Sequence, residues 1–123
     1  VFLLDDDATV MRKFARAVTD SGHEIRAGAD KPGITNLLNI YCAMTGKTVA
    51  AAEKEFADAS YETFKRAVGE SVVSVLAPIR AEYNRYINDK AELERIMRDG
   101  AEKAARIARR TLSKVYRKVG FVV

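Results

Sequence analysis

The sequence predicts an all-α protein, a bundle of about five or six helices. Three observations carry this. Apolar residues recur at steps of three and four along most of the chain, the spacing that gathers side chains on one face of a helix. No stretch shows the strict alternation of a half-buried strand. With 123 residues, 48% hydrophobic and 31% charged, the chain has ordinary globular composition. It is long enough to bury a core without a disulfide or metal staple. Helix-on-helix packing is then the available way to cover the apolar stripes.

The start, Val1-Phe2-Leu3-Leu4, is apolar and lacks methionine, and reads as a piece cut from a longer chain. Asp5, Asp6 and Asp7 suit the first turn of a helix, where carboxylates cap free N–H groups. Val10, Met11, Phe14, Ala17 and Val18 keep helical spacing, and Gly22 offers a left-handed C-terminal residue. His23 to Pro32 has no period and reads as an extended loop, since Pro32 disfavours helix just before it. Its lone His23 has no partner that would make it catalytic.

Ile34, Leu37, Leu38, Tyr41 and Met44 form the next helical face, ended by Gly46. Thr48 caps a short helix carrying Val49, Ala52 and Phe56. From Ser60 the longest series begins: Tyr61, Phe64, Val68, Val72, Val75, Ile79, Tyr83 and Tyr86. Pro78 falls inside it and predicts a kink, not a stop. Asn88-Asp89 closes this long helix, Ser60–Asn88. The last helix follows, with Met97, Ala101, Ala104, Ala108, Leu112, Val115 and Val119 on one stripe. The sequence predicts that the kinked helix packs on it.

Lys103, Arg106, Arg110, Lys114 and Arg117 share the opposite face of the last helix. From Arg98 onward eight basic residues stand against two acidic ones, a net +6, while the whole chain is +4. Everything before Arg98 therefore sums to −2. Two readings stay open. Charge runs are usually solvated faces, but arginine-rich charge aligned on one side suits tracking along phosphates. Candidate nucleic-acid contacts are Arg106, Arg109, Arg110, Lys114, Tyr116 and Arg117. Tyr116 lies on the flank with Arg109, where a tyrosine beside an arginine can stack on unpaired bases. Packing at the rim of a neighbouring helix is the other role open to it.

Other chemistry is sparse. The single Cys42 forbids an internal disulfide and suits a reducing, cytoplasmic setting. It sits in an apolar run, as a small buried hydrophobe would. One cysteine and one histidine speak against a Cys/His metal site. The aspartate triplet could chelate a cation, but capping accounts for it. No nucleophile elbow, phosphate-binding glycine loop or dinucleotide fingerprint occurs. No apolar run is long enough to span a membrane. By its residues alone the chain reads as a helical binding module, with no catalytic residue and no metal.

Several segments have a more specific character. Ala17-Val18-Thr19-Asp20-Ser21 is followed by Lys31-Pro32-Gly33-Ile34-Thr35-Asn36-Leu37-Leu38-Asn39-Ile40-Tyr41. Phe2-Leu3-Leu4-Asp5-Asp6, Ala77-Pro78-Ile79-Arg80-Ala81-Glu82-Tyr83, Asp99-Gly100-Ala101-Glu102-Lys103-Ala104 and Val115-Tyr116-Arg117-Lys118-Val119-Gly120-Phe121 complete the set. In this order and spacing they resemble the bacterial-type tryptophanyl-tRNA synthetases, class I enzymes, along the whole chain. One departure lies in the loop, where Ala27-Gly28 follows Arg26 and the family often has a tyrosine.

The resemblance implies a parent more than twice this length, with a Rossmann catalytic domain that is absent here. Its HIGH-like and KMSKS-like motifs do not occur. Residues 1–22 would follow the KMSKS-like loop and include the first helix, with Val1–Leu4 packing near the catalytic domain. Residues 23–123 would form the helical anticodon-binding domain. The implied parent uses ATP, with magnesium, to form tryptophanyl-adenylate and transfers tryptophan to its tRNA. It works as a homodimer. This region would bind the tRNA and be silent alone. A freestanding helical module binding nucleic acid or protein is the alternative.

Overall fold

Five helices account for the secondary structure of the computed structural model, which describes residues 1–121. They are α1 (Asp7–Ala15), α2 (Pro32–Thr45), α3 (Val49–Glu55), α4 (Tyr61–Asn88) and α5 (Lys90–Val119), and no strand occurs among the described residues. The chain divides into two compact units, the first Val1–Ala81 and the second beginning at Glu82. No helix is long and apolar enough to cross a membrane among the described residues.

The first unit holds the core. Each element brings its apolar face to it: Val10 and Phe14 from α1, Ile34, Leu37, Leu38 and Tyr41 from α2, Ala52 from α3, and Phe64, Val68, Val72 and Leu76 from α4. Three rings meet at the centre. Tyr41 and Phe56 stand edge to face at 5.2 Å, and Phe56 and Phe64 lie tilted at 5.0 Å, geometries that aromatic quadrupoles favour. Cys42 is half-buried against this cluster.

The helix boundaries follow from capping. The Asp6 carboxylate accepts from the Thr9 N–H at 2.6 Å and starts α1, satisfying one of the free donors of a first turn. Its neighbours are also used: Asp5 accepts from Lys13 at 2.6 Å, and Asp7 pairs with Arg80 of α4. The aspartate triplet is therefore structural. Gly46 ends α2 in the left-handed conformation, φ 73°, which glycine adopts without a Cβ clash. Thr48 and Ser60 accept from the amides of Ala51 and Thr63. Pro78 lies inside α4, which runs on to Asn88.

Three expectations change. First, α1 ends at Ala15, with Arg16 as its cap. Ala17 to Asp20 are not helical, Val18 is 88% exposed, and Gly22 does not have positive φ. Asp20 decides this, because its side chain caps the Gly22 N–H at 2.7 Å and reaches two other elements; an aspartate bonding to backbone competes with helix. Second, the unperiodic loop supplies a core residue, Ile25, 4% exposed. Third, the apolar stripe of α5 is not a buried packing face. α5 contains no buried residue, and Met97 (66%), Leu112 (45%), Val115 (47%) and Val119 (58%) are exposed. A period of 3.6 tells which face is apolar. It does not tell whether another helix covers that face.

Candidate nucleic-acid interface

The second unit is dominated by α5, thirty residues long and so about 45 Å from end to end. It starts where the Asp89 carboxylate accepts from the Glu92 N–H at 3.0 Å. Its first turns carry a charge ladder: Arg95 bonds Glu92 at 2.7 Å and Asp99 at 3.0 Å, pairs at the three- and four-residue spacing that supports a helix. Its end is fixed by Gly120, φ 78°. There the Phe121 N–H donates to the Tyr116 carbonyl at 2.9 Å and the two rings meet at 5.7 Å, the hydrophobic contact that accompanies such caps.

Between these ends lie the residues singled out by sequence. Arg106, Arg109, Arg110, Lys114 and Arg117 are all exposed. Beyond Glu102 the sequence contains seven lysines and arginines and no acid. Among the described residues none of these five enters an ion pair, in contrast to Arg95 with its two partners. Arg117 donates from Nε to the Ser113 carbonyl of its own helix at 3.4 Å. The helix therefore presents a row of free cations about one turn apart, which attracts anions of repeating charge.

Tyr116 is only half-exposed, and Phe121 takes one side of its ring. Its partner is thus a residue just past its own helix. Among the described residues it makes no stacked pair with Arg109. The cation over a ring in this unit is Arg85 on Tyr86, at 4.0 Å.

A second polar centre, unread as a contact in the sequence, lies in the first unit. Lys31 is 7% exposed. Its ammonium donates to Asp20 Oδ1 and to the Tyr61 hydroxyl, both at 2.9 Å. The Tyr61 hydroxyl donates in turn to Asp20 Oδ1 at 2.8 Å. The Lys31 ammonium first, with Tyr61 and the Gly22 N–H, holds the Asp20 carboxyl far below the usual carboxylate range. The motif residues Asp20 and Lys31 therefore tie the loop to the start of α4. Gly33 lets the loop in: a Cβ there would stand 2.4 Å from the Val18 carbonyl oxygen.

No family model matches the chain. It is 40% identical over 123 residues to the tryptophan–tRNA ligase of Clostridium tetani, covering 100% of this chain and 36% of that protein. It is 45% identical over 121 residues to that of Listeria monocytogenes serovar 1/2a, covering 98% and 36%. The crystal structure of tryptophanyl-tRNA synthetase from Mycoplasma pneumoniae superposes with a TM-score of 0.72 at 28% identity, covering 99% of this chain and 39% of that one. The chain thus matches over nearly all its length and spans little more than a third of these relatives.

Proposed function

We propose that this chain is the C-terminal helical region of a tryptophan–tRNA ligase and that the exposed basic face of α5 contacts tRNA. The observation that carries the reading is the 40% identity to a tryptophan–tRNA ligase along all 123 residues. The row Arg106, Arg109, Arg110, Lys114 and Arg117, without an ion pair among the described residues, supports the tRNA contact, because repeated cations without acids suit a phosphate backbone. Tyr116 enters as the residue that fixes the end of that row through Phe121.

In this reading residues 1–22 follow the nucleotide-binding loop of a Rossmann catalytic domain in the same chain, and residues 23–123 form the anticodon-binding region. The whole enzyme is a cytoplasmic homodimer. It activates tryptophan with ATP and magnesium and then esterifies its tRNA. ATP would supply the adenylyl group that activates the carboxyl of tryptophan, with pyrophosphate leaving. This chain's residues contribute binding and orientation of tRNA and hold no proton or leaving group in either step.

The test separates the two half-reactions in the intact enzyme. Arg106→Glu with Arg110→Glu weakens tRNA charging while tryptophan-dependent exchange of pyrophosphate into ATP stays at its parent rate. Equal loss of both, or unchanged charging, removes the assignment of this face.

A further inference from the structure

A groove of about 430 Å³ runs between α1 and α4 within the first unit, lined by Met11, Arg12, Ala15, Glu62, Lys65 and Arg66. Its floor is apolar, from Met11 and Ala15, and its rim is charged. Met11 crosses Gly69 of α4, where an added Cβ would stand 2.8 Å from Met11 Sδ. The size lies in the range that accommodates small organic groups.

The rim has an uncommon charge pattern for this unit. Val1–Ala81 contains ten lysines and arginines. Five are engaged by acids: Lys13, Arg26, Lys31, Lys47 and Arg80. Of the remaining five, three border this one groove. Arg12 is steadied by a 3.0 Å bond from its guanidinium to Thr9 Oγ1, and Lys65 is half-buried. Glu62 is the single acid among the lining residues.

We infer that this groove is a second RNA contact, taking one unpaired nucleotide with its base on the Met11–Ala15 floor and its phosphate among Arg12, Lys65 and Arg66. The assignment rests on the proposed reading of the chain as a tRNA-binding region, and adds a site remote in sequence from α5. An apolar floor alone fits many ligands. Two guanidiniums and an ammonium beside it suit a group that is flat and apolar at one end and anionic at the other. Arginine serves both ends, stacking on bases and bridging phosphate oxygens.

The chain carries three methionines, and they divide the question. Met11 lies in the groove, Met44 packs against the core and Met97 lies on α5. In the protein labelled with carbon-13 at methionine methyls, a short oligouridylate is titrated at several salt concentrations. Inorganic tripolyphosphate and an oligoglutamate peptide serve as comparison ligands. The oligouridylate is expected to move the Met11 methyl saturably. Lys65→Glu with Arg66→Glu lowers that affinity about tenfold and flattens its slope against log salt by about two, one per cation removed. Met44 stays in place in the variant, showing that the core is intact.

A still Met11 overturns the inference. So does a response to tripolyphosphate or oligoglutamate as strong as to oligouridylate, since the site would then select charge alone or an acidic peptide. A still Met11, in an enzyme whose tRNA charging falls with Arg106→Glu and Arg110→Glu, leaves the α5 reading standing and removes this one. A moving Met11 with charging unchanged by that α5 pair does the reverse.

Discussion

Two glycines that both lie in helices should respond unequally to the same added methyl group. At Gly33 a Cβ would meet the Val18 carbonyl oxygen at 2.4 Å and the Thr19 Cα at 3.3 Å. Both are backbone, locked by the Asp20–Lys31 contact, so the crowding cannot be relieved by a rotamer. Overpacking of this kind costs about 1–3 kcal/mol, and the upper half applies where backbone must move. The gain in helix propensity returns at most about 1 kcal/mol. Gly33→Ala should therefore lose about 2 kcal/mol. In a unit of this size that corresponds to a fall in Tm of about 8–16 °C.

At Gly69 the nearest atom is Met11 Sδ at 2.8 Å, followed by Met11 Cε at 3.4 Å and Phe14 Cβ at 3.5 Å. Met11 is half-exposed beside the open groove, and a thioether chain re-packs easily. Its displacement costs about 0.5–1.5 kcal/mol, which the propensity gain of about 1 kcal/mol nearly cancels. Gly69→Ala should lie within about 0.5 kcal/mol of the parent. Urea unfolding followed by circular dichroism on both variants reads the difference. Equal stabilities, or a greater loss at Gly69, would refute the account of how the loop passes over α2.

Other outcomes follow from the same geometry. Phe64 has no exposure, and Phe64→Ala should cost about 3–5 kcal/mol in urea unfolding. Gly46→Ala, at φ 73°, should cost about 1–2 kcal/mol in the same assay. The Asp20 carboxyl is depressed in the folded state by Lys31, so its contribution is present above the unfolded carboxyl range and fades as pH falls through the folded value. Lys31→Met should therefore move the acid unfolding midpoint to higher pH, read by circular dichroism between neutral pH and strong acid. Binding of tRNA to the α5 face should weaken steeply with salt, and each lost cation should lower the slope by about one.

Much of the fold was legible because it is written in periods. Ile34, Leu37, Leu38 and Tyr41 announce α2 by spacing, and all four are buried. Gly46, Thr48 and Asp89 announce their boundaries by chemistry. The end of α1 was not legible, since Ala17 and Val18 continue the period; what stops the helix is Asp20 bonding to Lys31 and Tyr61, far along the chain. The α4 series also misleads in its second half. Val75, Ile79 and Tyr83 keep step but are exposed, while Leu76 takes the core position. The basic row of α5 was readable as a face, since charge needs no partner to be counted. The groove was not, because Arg12 and Lys65 lie on different helices and no local pattern links them.

The enclosure of Lys31 has a use beyond stability. Of the nine lysines in the sequence, it is the one that is buried; the other eight are exposed or half-exposed. An amine-acylating reagent therefore meets eight sites at once and the ninth only when the loop lifts from Tyr61. The acylation rate at Lys31 then follows the frequency of that opening, so a peptide map taken over time would time the motion with no label added to the protein.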